Sequence, residues 1–277
     1  MQRYHLFEIA DQPWCPAVLR DCLTDYLGFI IARTAPYVCI QRRLKKSIEQ
    51  SGTARLIDLC SGGGGPWADG SHINDYSGGI SVCLTDQFPN EIAFERAKAS
   101  SNGQADYRRE PISAMNVPES LTGFRTLFSS FHHFRPEQAR AILADAVEKK
   151  QGIAVFEGTR RSPLALVLML LVPLIVLIST PFIRPFRWSR LIWTYLIPIV
   201  PLLSLFDGLV SCLRTYTCDE LRELVTGLDE SDWEIGEEPS RQGPIPVTYL
   251  IGLPAGANRA SSATHSRTLF PETAGTG

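Results

Sequence analysis

The sequence predicts an α/β fold, a twisted and largely parallel sheet with helices on both faces, and two observations carry that prediction. The first is residues 56–67, Leu-Ile-Asp-Leu-Cys-Ser-Gly-Gly-Gly-Gly-Pro-Trp. An apolar run (Leu56, Ile57, Leu59) reads as a buried strand. It breaks into glycines and then Pro66, a residue suited to the first turn of a helix. Glycines there let the backbone turn sharply and approach a ligand with no Cβ in the way. The second is Ser81-Val82-Cys83-Leu84-Thr85, the next strand, which ends in Asp86. That carboxylate lies about 20 residues on, the distance at which doubly wound sheets place an acid on ribose hydroxyls.

The elements follow in chain order. Residues 1–50 predict an N-terminal helical cap, with an amphipathic helix between His5 and Ile30 (apolar at Leu19, Leu23, Tyr26, Leu27 and Ile30). Trp14 and Arg20 are its candidates for an acceptor pocket, against ordinary helix packing. Arg42, Arg43, Lys45 and Lys46 form the one dense basic run and read as the solvated face of a helix. With a net charge of −2, the chain shows no nucleic-acid-binding surface. The 7 cysteines show no C-x-x-C pair and no metal-ligand spacing, so reduced thiols in the cytosol, and no metal, are expected. The N-terminus has no apolar h-region. From Ala255 the tail is small, polar and without periodicity, and disorder is expected over 255–277.

Two nucleotide motifs fit poorly. A P-loop needs Lys-Ser/Thr after its last glycine, and Pro66-Trp67 stands there. A dinucleotide fingerprint starting at Gly62 and Gly64 needs its third glycine where Trp67 is found.

Asp58-Leu59-Cys60-Ser61-Gly62-Gly63-Gly64 resembles motif I of the class I S-adenosylmethionine-dependent methyltransferases, (D/E)-x-G-x-G-x-G, with Cys60 in the first glycine position. The resemblance continues in order over about residues 51–254. Asp86, with Gln87 beside it, matches the acid that grips the ribose. Ser113-Ala114-Met115-Asn116-Val117-Pro118 looks like the loop flanking the adenine, with Ser113 in its acidic position. Leu127 to Phe134, including Ser129 and the pair His132-His133, resembles the fourth-strand segment, and Gly152 to Glu157 the fifth strand. Thr217 is the N-cap of a last helix, and residues 233–235 and 247–252 are a closing hairpin. The resemblance implies a Rossmann-like, seven-stranded sheet and S-adenosylmethionine as cofactor. It further implies binding by Asp58, Cys60, Ser61, Gly62, Gly63, Gly64, Asp86, Gln87, Ser113, Ala114 and Ser129.

One segment stands apart. Ser162 to Ile183 is uncharged and leucine-rich for about 22 residues, enough to span a bilayer, and a second uncharged run covers Leu191 to Phe206. These runs predict a hydrophobic helical hairpin, residues 162–213, inserted between the fifth strand and the last helix. Spanning would carry Arg184, Arg187 and Arg190 to the far side of the membrane, against the positive-inside tendency. Pro173, Pro181, Pro198 and Pro201 interrupt both runs. A shallow or re-entrant insertion is therefore expected, with the arginines, Trp188 and Trp193 at headgroup level. A spanning hairpin and a lid or homodimer interface are the alternatives.

A sulfonium carries its own leaving group, so the protein mainly aligns the acceptor and excludes water. A base is useful where the acceptor bears a proton. His132 and His133 are the candidates, and one of the two is expected to face the pocket if side chains alternate at a strand end. Tyr195 and Asp207 are secondary. The expected activity is methyl transfer to a small hydrophobic or lipid-like acceptor on the cytoplasmic membrane surface. The competing readings are a non-catalytic, membrane-docked assembly protein of the same fold and a nicotinamide-dependent oxidoreductase.

Overall fold

The computed structural model describes residues 1–68, 79–240 and 243–256. Its strands are β1 (Arg55–Asp58), β2 (Ser81–Leu84), β3 (Ala105–Tyr107), β4 (Phe124–Phe128), β5 (Ile153–Glu157), β6 (Ser231–Glu238) and β7 (Val247–Pro254). Among the described residues they form one seven-stranded sheet in the order β3-β2-β1-β4-β5-β7-β6. The first five strands are parallel, and β7 enters antiparallel between β5 and β6. This is the sheet the resemblance implies. Chain order reverses between β1 and β4, the switch point outside which such sheets bind ligands.

The strands read as apolar runs because both faces are covered. Leu56, Phe124, Ala154 and Phe156 pack on one side with Ile40, Leu44 and Trp67. Ile57, Leu127, Ile153 and Val155 pack on the other with Phe131, Ile142 and Leu143. Strand β3 is short and has no apolar run, and the sequence did not point to it.

Helix α1 spans Ala17–Thr34 and α2 Gln41–Ser51. The helix anticipated from His5 starts only at Ala17, because Pro13 and Pro16 interrupt the approach and Pro16 is the N-cap. Of its apolar positions Leu23 and Tyr26 are buried, whereas Leu27 is exposed. Helices α3 (Glu91–Ser100) and α4 (Pro136–Glu148) flank the sheet. The helix anticipated after Pro66 begins as a 3-10 turn, Gly65–Trp67, and residues 69–78 lie outside the described residues. So do residues 257–277 of the tail anticipated to be disordered.

The insertion comprises α5 (Pro163–Met169), α6 (Val172–Ser179), α7 (Trp188–Leu191), a π-helical turn (Ile192–Leu196) and α8 (Ile199–Arg214). Ser162 caps α5 by accepting the Ala165 N–H at 3.2 Å. Pro163–Phe182 is long and apolar enough to cross a membrane; the second run bends by 79° at Ile197-Pro198, where proline breaks the helical ladder. Val176, Ile183 and Val200 pack on Cys22 and Tyr26 of α1. This corrects the expectation for Arg190, which is buried against α1, whereas Arg184 is exposed. Arg190 is 2% exposed, pairs with Asp25 of α1 and donates to the carbonyls of Ile183 (3.0 Å) and Pro185 (3.2 Å). Arg187 lies 3.4 Å from Asp21. The cause is on α1, where Asp21 and Asp25 stand one turn apart on one face and draw the linker inward. Trp193 joins the same packing and Trp188 stays exposed. Leu164, Val167, Leu170, Leu174 and Ile178 face outward. After α9 (Cys218–Val225), whose cap box is Thr217 and Glu220, the chain closes with the β6–β7 hairpin.

Candidate functional site

The site is built from the turns at the carboxyl ends of β1, β2, β4 and β5. After β1, Leu59 donates its N–H to the Thr126 carbonyl at 2.8 Å and keeps the chain on the sheet. Cys60 (φ 56°), Gly62 (φ 51°) and Gly64 (φ 97°) then turn it back through left-handed conformations. A Cβ on Gly64 would stand 3.0 Å from the Ala68 Cα, whereas one on Gly62 meets nothing within 4 Å. The turn is packed beneath and open at Gly62. A Cβ on Gly63 would stand 2.4 Å from Thr24 Cγ2, so α1 rests against the turn's outer side.

Asp58 shapes this turn from below. It is 1% exposed, and its two oxygens accept the hydroxyls of Ser61 and Thr126, each at 2.7 Å. Burial pushes its carboxyl up to about 6, although hydrogen bonds from Thr126, Ser61 and the Trp67 side chain pull the other way. Trp67, 1% exposed, fills the place where a dinucleotide fingerprint would put its third glycine.

Asp86 faces the open side. Its Oδ2 accepts the Gly62 N–H and its Oδ1 the Phe88 N–H, both at 2.8 Å. Partial desolvation raises its pKa above the ordinary aspartate value despite these bonds. Gln87 beside it is exposed. The Ile112 N–H donates to the Asp86 carbonyl at 2.8 Å and ties the following loop to this edge. In that loop Ser113 is half-buried and Ala114 is packed in the core. Across the switch point Ser129 also takes a left-handed conformation (φ 43°). Its hydroxyl accepts the Gly158 N–H at 3.0 Å and bonds the Tyr37 hydroxyl at 2.7 Å.

Both histidines face one cluster, so the strand alternation expected to turn them apart does not hold. They sit on a 3-10 turn, Phe131–His133, and not on an alternating strand, so their rings lie 4.4 Å apart. His132 is 2% exposed; its Nδ1 is 2.7 Å from Glu157 Oε2, and its N–H donates to Glu157 Oε1 at 3.1 Å. His133 Nδ1 lies 2.8 Å from Asp11 Oδ2. Glu8, 5% exposed, lies 3.7 Å from the Nε2 of each ring. Burial pushes His133 down, but the carboxylates of Glu8 and Asp11 outweigh it and hold the imidazolium above the ordinary value.

Glu8, Asp11 and Glu157 escaped the sequence reading. Glu157 left a signal, a charged residue ending an apolar strand at the carboxyl edge. Glu8 and Asp11 left none, since helix α8 brings them in. Asp207 accepts the N–H groups of Ile9 (2.8 Å) and Ala10 (3.0 Å), and Ser211 donates to Glu8 at 2.9 Å. Asp207 is thus a positioning residue for the N-terminal strap. Arg20 braces the same strap through the carbonyls of Ala10 (2.8 Å) and Gln12 (2.9 Å), while Trp14 is exposed. The Tyr195 hydroxyl donates to the Leu177 carbonyl within the insertion.

No protein-family model matches the sequence, and no curated protein matches it. Among solved structures the chain is similar to PigF with SAH (TM-score 0.51, 14% identity, 88% of this chain and 62% of that one). It is also similar to human N-acetylserotonin methyltransferase in complex with SAM (TM-score 0.46, 16% identity, 83% of this chain and 55% of that one). The chain therefore spans about three-fifths of the length of these structures. The first similarity, with the strand order, shows the class I methyltransferase fold.

Proposed function

We propose that this chain transfers a methyl group from S-adenosylmethionine to a small hydrophobic or lipid-like acceptor at a membrane surface. The observation that carries the reading is the Asp86 carboxylate bonded to the Gly62 N–H across the open mouth of the glycine turn. At that place Asp86 accepts the ribose hydroxyls and the backbone of Gly62 to Gly64 lines the amino-acid end of the cofactor. Ser113 and Ala114 flank the adenine. Asp58, Cys60 and Ser61 hold the turn, and Gln87 and Ser129 border the site. When bound, the cofactor supplies an activated methyl group; the chain orients the acceptor and excludes water, with His132 and His133 marking the polar end of the site. A nicotinamide dinucleotide is disfavoured by Trp67, whose side chain occupies the close-packing position of that fingerprint.

The insertion supports the choice of acceptor. Its linker is held on α1 by the Arg190–Asp25 pair, and Val176 and Val200 pack on Cys22 and Tyr26 of the same helix, so it lies along the body and not away from it. Its outward face is apolar over more than a helical span, which suits interfacial binding beside lipid acyl chains. Helix α8 then links this face to the histidine cluster through Ser211.

Calorimetric titration of the detergent-solubilised chain with S-adenosylmethionine and NADH tests the reading. A carboxylate accepting ribose hydroxyls contributes about 2–3 kcal/mol, so Asp86→Ala should weaken S-adenosylmethionine binding roughly 30- to 150-fold. Unchanged affinity in the folded variant, or preference for NADH, would overturn it.

A further inference from the structure

The histidine cluster has the arrangement of a metal centre, and we propose that Glu8, His132 and His133 bind one divalent transition-metal ion of the zinc type. The ligand atoms of these residues all lie within 4.8 Å of one another. Ligands about 2.0–2.1 Å from a tetrahedral ion stand about 3.3 Å apart. Each histidine Nε2 is 3.7 Å from a Glu8 oxygen, Oε1 for His132 and Oε2 for His133, so both Glu8 contacts exceed that spacing by only a few tenths of an ångström. Two imidazoles and one carboxylate are the donor set of a borderline cation, and a hard ion such as Mg²⁺ would prefer oxygen throughout.

Three further observations point to an ion and not to an ordinary hydrogen-bond network. His132 is 2% exposed and its Nε2 has no hydrogen-bond partner, a buried polar atom aimed at Glu8. Both rings also present Nδ1 to a carboxylate, His132 to Glu157 (2.7 Å) and His133 to Asp11 (2.8 Å). That pairing fixes the tautomer with Nε2 as the lone-pair donor and orients each ring, the usual outer shell of metal-bound histidine. Glu8 is itself held, its Oε1 2.9 Å from the Ser211 hydroxyl and 3.2 Å from Arg214 Nη1. The guanidinium of Arg214 offsets one of the three carboxylates, Glu8, Asp11 and Glu157, and leaves room for a cation's charge. His133 is part-exposed, so the fourth position opens on the solvent side. The ion's binding depends on these ligands alone, whatever the group the chain transfers.

The test uses the full chain in detergent, stripped with chelator and titrated with Co²⁺, whose visible bands report coordination, then with Zn²⁺ in competition. One Co²⁺ per chain with visible absorption, displaced by Zn²⁺, is expected. Glu8→Gln, which keeps the shape, and His133→Ala, at a part-exposed position, should each weaken binding at least 100-fold while circular dichroism stays native. Asp11→Asn should weaken it roughly 10- to 100-fold without removing a ligand. Absence of saturable Co²⁺ uptake by the folded chain overturns the proposal. So do near-ultraviolet thiolate charge-transfer bands, which would place the ion on cysteine, and unchanged affinity in His133→Ala.

Discussion

The glycine turn and the insertion are both departures from plain core packing, and they are held in opposite ways. The turn is held locally. Asp58, Ser61, Trp67 and Gly62 lie within a few residues of one another, and Asp86 closes on them from the adjacent strand. The insertion is held by distant partners: Asp25 grips Arg190, Asp207 grips the strap at Ile9 and Ala10, and Tyr26 packs on Val176. Its buried side sets Arg190 and Asp207 beside apolar packing at Val176, Ile183 and Val200, while its outward side carries leucines, an arrangement that makes sense if the surroundings of the outer side are apolar. The first region is a rigid frame for a small polar ligand. The second is a docked plate whose exposed face lacks a partner among the described residues.

The comparison breaks most sharply on the outward face. Leu170, Leu174 and Ile178 are spaced by one turn and about 56–61% exposed, so replacing all three with lysine leaves the interior untouched. Burying each in lipid is worth about 1.5–3 kcal/mol, so the triple variant should lose about 5 kcal/mol or more of membrane affinity. Flotation with liposomes should then find it in the soluble fraction, with S-adenosylmethionine binding unchanged. Persistent flotation would move the anchor elsewhere. Wild-type protein that is monodisperse without detergent and ignores liposomes would remove the membrane from the reading and leave a lid or dimer contact.

Next in size is the inner side of the same plate. Asp25→Ala strands the Arg190 guanidinium, 2% exposed, without its carboxylate. Breaking a buried pair from one side costs about 3–5 kcal/mol, so the melting temperature should drop by roughly 6–15 °C. An unchanged melting temperature would mean that residues 184–190 are not docked on α1.

These two regions also differ in how much of them could be read from residues in order. The turn was legible because backbone conformation demands specific residue types at fixed short spacing: glycine where φ is positive, an acid at the next strand end. Four of the five parallel strands and the closing hairpin were legible because burial on both faces forces apolar runs. Strand β3 was missed because it lies toward the sheet edge, with Asp106 exposed, and so lacks such a run. The insertion was legible as apolar but not as docked, since ion pairs between residues 25 and 190 leave no trace in local composition. The same holds for Glu8 and Asp11 at the histidines. That His132 and His133 act together followed from a 3-10 turn, which two adjacent histidines do not announce.

A smaller effect tests the rigidity of the frame. The folded-state pKa of Asp58, about 6, lies above its unfolded value near 4, so the native state holds this proton more tightly. Its stabilising contribution is complete below about pH 4, is lost as pH rises to about 6, and is flat beyond, on the order of 3 kcal/mol in all. Asp58→Asn cannot titrate, so the melting-temperature advantage of wild type over the variant should shrink between pH 4 and 6. A difference independent of pH would show that Asp58 is ionised without penalty.

The smallest effect separates conformation from chemistry within the turn. Cys60 and Ser129 are the two non-glycine residues at the switch point with left-handed backbone, a state that costs about 1–2 kcal/mol for a residue bearing a Cβ. Ser129 is compensated by its bonds to Tyr37 and Gly158, so Ser129→Gly gives up more than strain. Among the described residues the Cys60 thiol makes no such hydrogen bond, and burial pushes its pKa up, away from a reactive thiolate. Cys60→Gly should therefore relieve strain, offset in part by about 0.5–1 kcal/mol of added unfolded-state freedom. The net gain should be about 0.5 kcal/mol, a rise of roughly 1–2 °C in melting temperature, with S-adenosylmethionine affinity within about twofold of wild type. A loss of more than about 1 kcal/mol would instead assign Cys60 to packing against the Ile57–Leu59 core.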